Sequence, residues 1–525
     1  MRNASIRIAL ITDDPPALPA WIVRLLDSIA ETAGLECHTL ITPLHVGNGP
    51  GVPWPVGAWL ALEAKLFART GRTADSAHEI QIIRSDDTEA LEALAPDVIL
   101  DLTGGYGSGI DPRLARYGIW FADCIGEQPG LAGLRSLLRG ADINPLSLFR
   151  RTADGLHTIT TGAVNPKFAA TRNELFLKEK SVALILRELR RLAHTGTVSS
   201  EAGVDFEPFA SPEIGRFAFY VGSVAREGAR RIGEGLLARL GFRPGMFEIN
   251  SLYGSLPDFD PGVARSTQPG PYAYHADPFL WRHEGENYCF FETYDYRRGK
   301  GHISVGRWVD GRLTSIRTAL ATDYHLSFPF LFEHEGELFM MPESCARKRI
   351  EVWRCTRFPD RWELHATAME GVTAADSSLA EIDGRWWLFT NISTDSFGDM
   401  NSELHLFQVD VPDFRRIIPH PLNPVTFDAR YARNGGRIIE QGGVLFRPAQ
   451  ENSHGTYGYG ISLMQIETLS MEAYSEALVR RIQPDFLPGL IGCHHLDVCG
   501  DLIVFDARRR MGGRARRTPA DAAAA

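Results

Sequence analysis

Four carboxylates in the second half of the chain stand at recurring positions and carry the chemistry of proton transfer. Asp277 and Asp376 each lie eight residues before a turn glycine, Gly285 and Gly384, while Glu292 and Glu343 each lie seven residues after one, Gly285 and Gly336. Glu343 ends the otherwise apolar run Met340-Met-Pro, where burial would raise its pKa and suit it to donate a proton. An aspartate at one such position can simply cap a strand or turn. Its recurrence at the same phase of two units argues for a shared site. Around these carboxylates lie His325 before Ser327-Phe-Pro329, Arg433, Arg447 and Gln450 of the run Arg447-Pro-Ala-Gln-Glu-Asn452, and the pair His494-His495. Arginine, glutamine and histidine beside carboxylates, interleaved with Trp281, Tyr294, Trp386 and Trp387, are what a hydroxyl-rich or phosphorylated sugar requires. The tryptophans taken alone read as packing between units. Adjacent strand residues face opposite sides, so His494 and His495 could not readily ligate one ion; one is expected to face the site, and no metal is expected.

A repeat sets these positions. Pro278-Phe-Leu-Trp-Arg-His-Glu-Gly-Glu286 recurs 51 residues later as Pro329-Phe-Leu-Phe-Glu-His-Glu-Gly-Glu337, and weaker copies cover 376–391, 434–450 and 493–506. The turn glycines fall at 285, 336, 384, 442 and 500, the spacing of four-stranded blades, and five such units predict an all-β five-bladed propeller over 214–508. Equivalent residues of successive blades surround one axis, so the carboxylates would converge on a shared funnel. Residues 214–265 are expected to supply the strand that closes the ring.

The first region has a different grammar. The apolar run 6–11, apolar residues at helical spacing over 17–33, and the apolar run 36–42 read as β-α-β; strands at 79–84 and 97–102 flank a helix over 87–94. A parallel α/β sheet with a closing amphipathic helix at 174–193 is predicted for 1–195. Residues 196–213 read as a linker, and 509–525 as a disordered basic tail.

Composition narrows the function classes. A chain of 525 residues is too long for one compact core, and 55 Lys+Arg against 65 Asp+Glu gives a net charge of −10, so the body offers no footprint for nucleic acid. Six arginines between 508 and 517 read as a solvated terminus, with a peripheral contact to anionic lipid or a partner as the alternative. The apolar run 6–11 is too short for a signal-peptide core or a membrane span, so a cytoplasmic protein, membrane-associated through the tail at most, is expected. Seven cysteines without a C-x-x-C pair read as buried thiols. No P-loop, zincin, hydrolase-elbow or dinucleotide motif stands in the right context, and no cofactor is expected.

With these residues in view, 273–508 resembles the N-terminal propeller domain of glucosamine inositolphosphorylceramide transferase 1-like proteins, through His275-Ala-Asp-Pro-Phe279, Tyr324-His-Leu-Ser-Phe-Pro329, Met341-Pro-Glu-Ser344, Pro419-His-Pro-Leu-Asn-Pro424, Phe446-Arg-Pro-Ala-Gln450 and Gly492-Cys-His-His495. The resemblance implies a carbohydrate-active transferase of surface glycan or glycolipid biosynthesis, with a sugar or glycolipid substrate. More distantly the propeller resembles five-bladed glycoside hydrolases, and by that likeness Asp277 would be the base or nucleophile, Asp376 an orienting or pKa-tuning partner and Glu343 the acid. Hydrolysis, or glycan binding without catalysis, are the alternative readings. Residues 85–166 resemble the Rossmann-like domain of formyltransferases, through Pro96-Asp-Val-Ile-Leu100, Leu114-Ala-Arg-Tyr-Gly118, Gly130-Leu-Ala-Gly-Leu-Arg135 and Asp154-Gly-Leu156. The register of that family's Asn-x-His holds Phe121 and Asp123 here, and its later Asp falls near His157. The domain therefore reads as degenerate, with sugar N-formylation through an exchanged Asp123/His157 pair as a further alternative.

Overall fold

The computed structural model describes residues 5–12, 18–43, 52–67, 80–103, 109–125, 130–201, 205–206, 212–239, 245–269, 273–309 and 311–509. The chain forms two compact units, residues 1–228 with 394–397, and residues 229–393 with 398–525. Among the described residues no helix is long and apolar enough to cross a membrane.

The first unit is a seven-stranded mixed sheet with helices. Its strands β1 (Ile6–Ile11), β2 (Leu35–Thr42), β3 (Gln81–Arg84), β4 (Val98–Asp101), β5 (Ile119–Ala122), β6 (Asn144–Thr152) and β7 (Gly155–Val164) lie in the order β3-β2-β1-β4-β5-β6-β7. The first five are parallel, and apart from Arg7 and Asp101 the strands β1 and β4 are apolar, as strands covered on both faces are. Strands β6 and β7 run antiparallel, which corrects the expectation of an all-parallel sheet. Only Ala153 and Asp154 join them, and a two-residue connection cannot make a parallel crossover.

The helices are α1 (Ala20–Glu31), α2 (Trp54–Phe67), α3 (Thr88–Leu94), α4 (Leu131–Arg139), α5 (Ala170–Thr195) and α6 (Ile214–Arg239). Helix α1 buries Trp21, Ile22, Leu25, Leu26 and Ile29, the stripe its spacing predicts. Helices α4 and α5 touch at Gly133, where a Cβ would stand 1.9 Å from the Ala170 carbonyl oxygen. Helix α6 is a correction: the propeller does not begin at 214. Phe217, Tyr220 and Val224 recur at helical spacing and pack with Val56 and Leu60 of α2 and with Leu131 and Leu134 of α4. The predicted linker is only partly described, and there Glu201 accepts hydrogen bonds from the Thr160 hydroxyl (2.8 Å) and the Thr161 amide (2.7 Å).

The second unit is a five-bladed β-propeller. Its first three blades open with the inner strands Ala273–His283, Ser327–His334 and Ala374–Ile382, each followed by a hairpin partner, Glu286–Asp295, Glu337–Glu343 and Arg385–Ile392. Ile439–Gln441 and Val444–Glu451 begin the fourth. Gly285, Gly336, Gly384, Gly442 and Gly500 all hold positive φ, between +62° and +81°, and make the tight inner hairpins. The fifth blade closes the ring with an early strand: Met246–Tyr253 pairs antiparallel with Leu502–Arg509. Arg508 and Arg509 therefore belong to a strand, not to a tail, and residues 510–525 lie outside the described set. Phe279, Phe290, Phe328, Phe330, Phe339 and Leu388 of the first three blades share one core, against which Trp281 and Trp386 pack. Trp387 is buried in a second cluster with Phe389 and Leu406, so the tryptophans do pack blades.

Candidate functional site

The same irregularity interrupts the inner strand of three consecutive blades. Strand register breaks between Ala276 and Phe279, between Ser327 and Phe330, and between Ala375 and Ser378, and Asp277, Phe328 and Asp376 sit there at φ of +52°, +45° and +45°. These are β-bulges, and positive φ at a non-glycine residue costs about 1 to 2 kcal/mol. The freed amides turn to carboxylates of the preceding blade. Asp277 N–H donates to Asp506, Phe328 N–H to Asp277 and Asp376 N–H to Glu343, each at 3.2 Å. The bulges thus bring side chains of separate blades onto one another, as the repeat predicts for residues of equal phase.

Asp277, His494 and Asp506 form one group. His494 Nε2 lies 3.6 Å from Asp277 Oδ1, and its Nδ1 lies 2.7 Å from Asp506 Oδ2, close but off the line of a straight hydrogen bond. Burial acts to lower the His494 pKa, yet Asp506 outweighs it and the imidazole is held above its ordinary value. For Asp506, burial is overcome by His494 and the carboxyl is held below the usual range. Burial pushes the Asp277 carboxyl up to about 7, against the pull of His494. The three residues can bring ligand atoms within 4.8 Å of one another, a set able to hold a cation. Asp506 is already engaged on both oxygens: Oδ1 accepts from the amides of His494 (2.9 Å) and His495 (3.1 Å), and Oδ2 faces the Asp277 amide and His494. The arrangement reads as a carboxylate–imidazole–carboxyl chain that fixes the charge beside Asp277.

A second group surrounds Asp376. Arg433 Nε donates to Asp376 Oδ2 at 2.6 Å, and the Gln450 amide donates to the same oxygen at 2.7 Å. Arg433 also reaches Asn401 (3.2 Å), lies 3.8 Å from Glu343 and stacks over Tyr457 at 5.0 Å. Burial pushes Asp376 up to about 7 despite Arg433. Glu343 is the most exposed carboxylate of the cluster, at 13% of its side chain against 4% for Asp376.

Glu292 makes the third group. It accepts from the Tyr274 hydroxyl at 3.2 Å and lies 3.5 Å from His325 Nε2, and burial holds its carboxyl well above the usual range. His325 Nδ1 accepts from the Gly301 amide at 2.8 Å, so a neutral His325 carries its proton on Nε2, facing Glu292. Tyr274 stacks on Tyr294 at 5.1 Å and Phe247 on His494 at 4.5 Å, giving the site an aromatic wall.

Asp277, Asp376, Glu343, His325, Arg433, Gln450 and His494 are thus gathered. Arg447 and His495 are not. Arg447 is wholly buried in the fourth blade and forms a two-pronged pair with Glu476 at 2.8 and 2.7 Å. His495 is wedged edge-on against Phe279 and Phe328, burial drives its pKa down to about 3, and neither ring nitrogen has a hydrogen-bond partner among the described residues. In the first unit Asp123 is held by Arg135 (3.0 Å) and the Ser147 amide (3.0 Å), and His157 faces Thr152 (3.2 Å). Sequence reasoning missed Asp506, Tyr274 and Tyr457. The signal for Asp506 was present: the strand after each turn glycine carries an acid or amide six to eight residues beyond that glycine, Glu292, Glu343, Asn391, Gln450 and Asp506.

The family described as "Glucosamine inositolphosphorylceramide transferase 1, N-terminal" matches residues 262–484. The match spans most of the propeller and the bulge aspartates. Glucosamine inositolphosphorylceramide transferase 1 of Oryza sativa subsp. japonica is 37% identical over 221 residues, 41% of this chain and 29% of the relative. The protein of that name from Arabidopsis thaliana is 33% identical over 233 residues, 43% of this chain and 30% of the relative. The chain therefore spans under a third of the length of these curated relatives. Among solved structures, the alpha-L-arabinanase of Cellvibrio cellulosa is similar at 16% identity and a TM-score of 0.32, covering 44% of this chain and 86% of that one. A likeness so slight has no bearing on activity.

Proposed function

We propose that the propeller binds a sugar at the Asp277–Asp376 cluster and takes part in transferring a sugar to a glycolipid or surface glycan. The observation that carries this reading is the pair of bulged aspartates, both with carboxyls near pH 7 and each set beside a fixed cation, His494 or Arg433. Glycosyl transfer needs a base for the attacking hydroxyl and an acid or charge partner for the departing group, and groups with a pKa near the working pH do this best. In this reading Asp277 takes the hydroxyl proton while His494, itself fixed by Asp506, offsets the charge. Glu343 is the acid, and Asp376 is a positioning residue pinned by Arg433 and Gln450. Tyr274 and Tyr294 offer flat surfaces for the apolar face of a sugar ring. The name of the plant relatives, glucosamine inositolphosphorylceramide transferase 1, supports the glycolipid branch of the reading.

The test is incorporation of radiolabel from a panel of nucleotide sugars into a lipid extract supplied with the purified chain. Asp277→Asn and Glu343→Gln are expected to lower incorporation at least about a hundredfold, the scale of a lost acid–base group, at little cost in Tm. Full activity in both would discard the assignment. Release of free reducing sugar from oligosaccharides, without incorporation, would replace transfer by hydrolysis.

A further inference from the structure

Tyr457 stands where the Asp277 and Asp376 groups meet, and we propose that its hydroxyl holds the substrate there by donating a hydrogen bond to an uncharged hydroxyl of the sugar. The inference rests on the reading of this cluster as a sugar site and adds the residue, and the kind of group, that meet in it. The Tyr457 ring lies edge-on to His494 with centroids 5.4 Å apart, and the Arg433 guanidinium lies over its face at 5.0 Å. One side chain thus touches both the imidazole beside Asp277 and the cation that pins Asp376. Burial, opposed by Arg433 and aided by Asp376, Asp277 and Glu343, holds the hydroxyl well above its ordinary pKa. It therefore stays protonated and able to donate.

The loop that carries Tyr457 joins the strands Val444–Glu451 and Gly460–Leu469 of the fourth blade and is held at several points. Asn452 Oδ1 accepts from the Gly458 amide at 2.9 Å, the Thr456 amide donates to the Ser453 carbonyl at 2.8 Å, and Arg508 donates to the Tyr457 carbonyl at 3.3 Å. Gly458 has a φ of +59°, and a Cβ there would stand 2.9 Å from His494 Cβ, so glycine lets the loop close on the imidazole. This fixed aromatic nevertheless remains 39% exposed, and its hydroxyl has no hydrogen-bond partner among the described residues. The donors around it are already engaged. Arg433 serves Asp376 and Asn401, the Gln450 amide serves Asp376 and the Asn434 carbonyl (2.8 Å), and His494 lies between Asp506 and Asp277. A phosphate would have to draw one of these cations from its carboxylate and would face Glu343 as well. A sugar hydroxyl accepts from Tyr457 and donates to a neighbouring carboxylate without disturbing either pair. The free donor and the engaged cations together select an uncharged ring.

The experiment is calorimetric titration of the full chain and of Tyr457→Phe with methyl glucoside, methyl galactoside, methyl mannoside and glucose monophosphate, with Tm recorded for both proteins. Tyr457→Phe keeps the ring against Arg433 and His494 and leaves no protein group without its partner, so its Tm should match that of the wild type. A neutral glycoside is expected to bind the wild type at least as tightly as the sugar phosphate does. Tyr457→Phe is expected to bind that glycoside about tenfold more weakly, the scale of one hydrogen bond to the ligand. A loss smaller than about threefold, a loss that comes with a lowered Tm, or tighter binding of glucose monophosphate would each overturn the inference and leave a sugar site in place. No binding of any of the four probes by the wild type would remove the sugar site itself and this role of Tyr457 with it.

Discussion

Asp277→Asn should make the protein more stable at neutral pH while removing the carboxyl proposed as the base. Asp277 and Asp376 have carboxyls raised to about 7 by burial, and Glu292 is raised as well. A carboxyl whose folded pKa lies above its unfolded value binds more protons in the folded state between the two values, so stability is full below about pH 4 and is lost as pH rises toward 7. His494, also raised, acts in the same direction above its ordinary value. Each fully released group costs about 1.4 kcal/mol per pH unit, or about 3 kcal/mol between pH 5 and 7. The groups face one another, so their losses do not add. In Asp277→Asn the slope should flatten by up to about 1.4 kcal/mol per pH unit. The variant should gain about 1 to 3 kcal/mol at pH 7.5, because the cost of the buried charge outweighs the lost 3.6 Å contact with His494. Urea unfolding at pH 5, 6, 7 and 8, followed by intrinsic fluorescence, measures this; six of the ten tryptophans lie in the propeller. Stability that is flat or rising from pH 5 to 8, or a variant with the wild-type slope, would refute the reasoning.

Two arginines separate site from scaffold. Arg433→Met and Arg447→Met each leave a buried carboxylate without its cation and should each cost about 3 to 5 kcal/mol in urea unfolding. Calorimetry under folding conditions should find sugar binding lost only in Arg433→Met. Gly301→Ala would place a Cβ 2.6 Å from Glu292 Oε1 and 2.8 Å from His325 Cε1, so it should weaken sugar binding at least about tenfold and destabilise the fold by about 1 to 3 kcal/mol. Unchanged affinity in Gly301→Ala would remove Glu292 and His325 from the site.

The blades were legible because one structural demand, a tight inner hairpin, recurs as a glycine in every unit. Asp277 and Asp376 were legible for the same reason, since equal distance from that glycine means equal place on the inner strand. Asp506 escaped because the fifth blade reaches it through two short strands, Leu490–Gly492 and Leu496–Cys499, and its offset from Gly500 is six residues where Glu292 and Glu343 stand at seven. Arg447 was grouped with Gln450 by nearness in sequence, but an odd separation along a strand sends two side chains to opposite faces, and Glu476 received the arginine. Alternation also parts His494 from His495. In the first unit the two-residue connection between Thr152 and Gly155 already required an antiparallel pair. The segment 214–265, assigned to the propeller for its closing strand, supplies that strand as Met246–Tyr253, while helix α6 occupies its first part, with Phe217, Tyr220 and Val224 at helical spacing.

The most direct measurement is lipid-linked incorporation of labelled sugar by the wild type, Asp277→Asn, Glu343→Gln and Arg447→Met, each normalised to folded protein. The account predicts incorporation by the wild type and Arg447→Met, with a loss of at least about a hundredfold in the two carboxylate variants. Equal incorporation by all four proteins would contradict it.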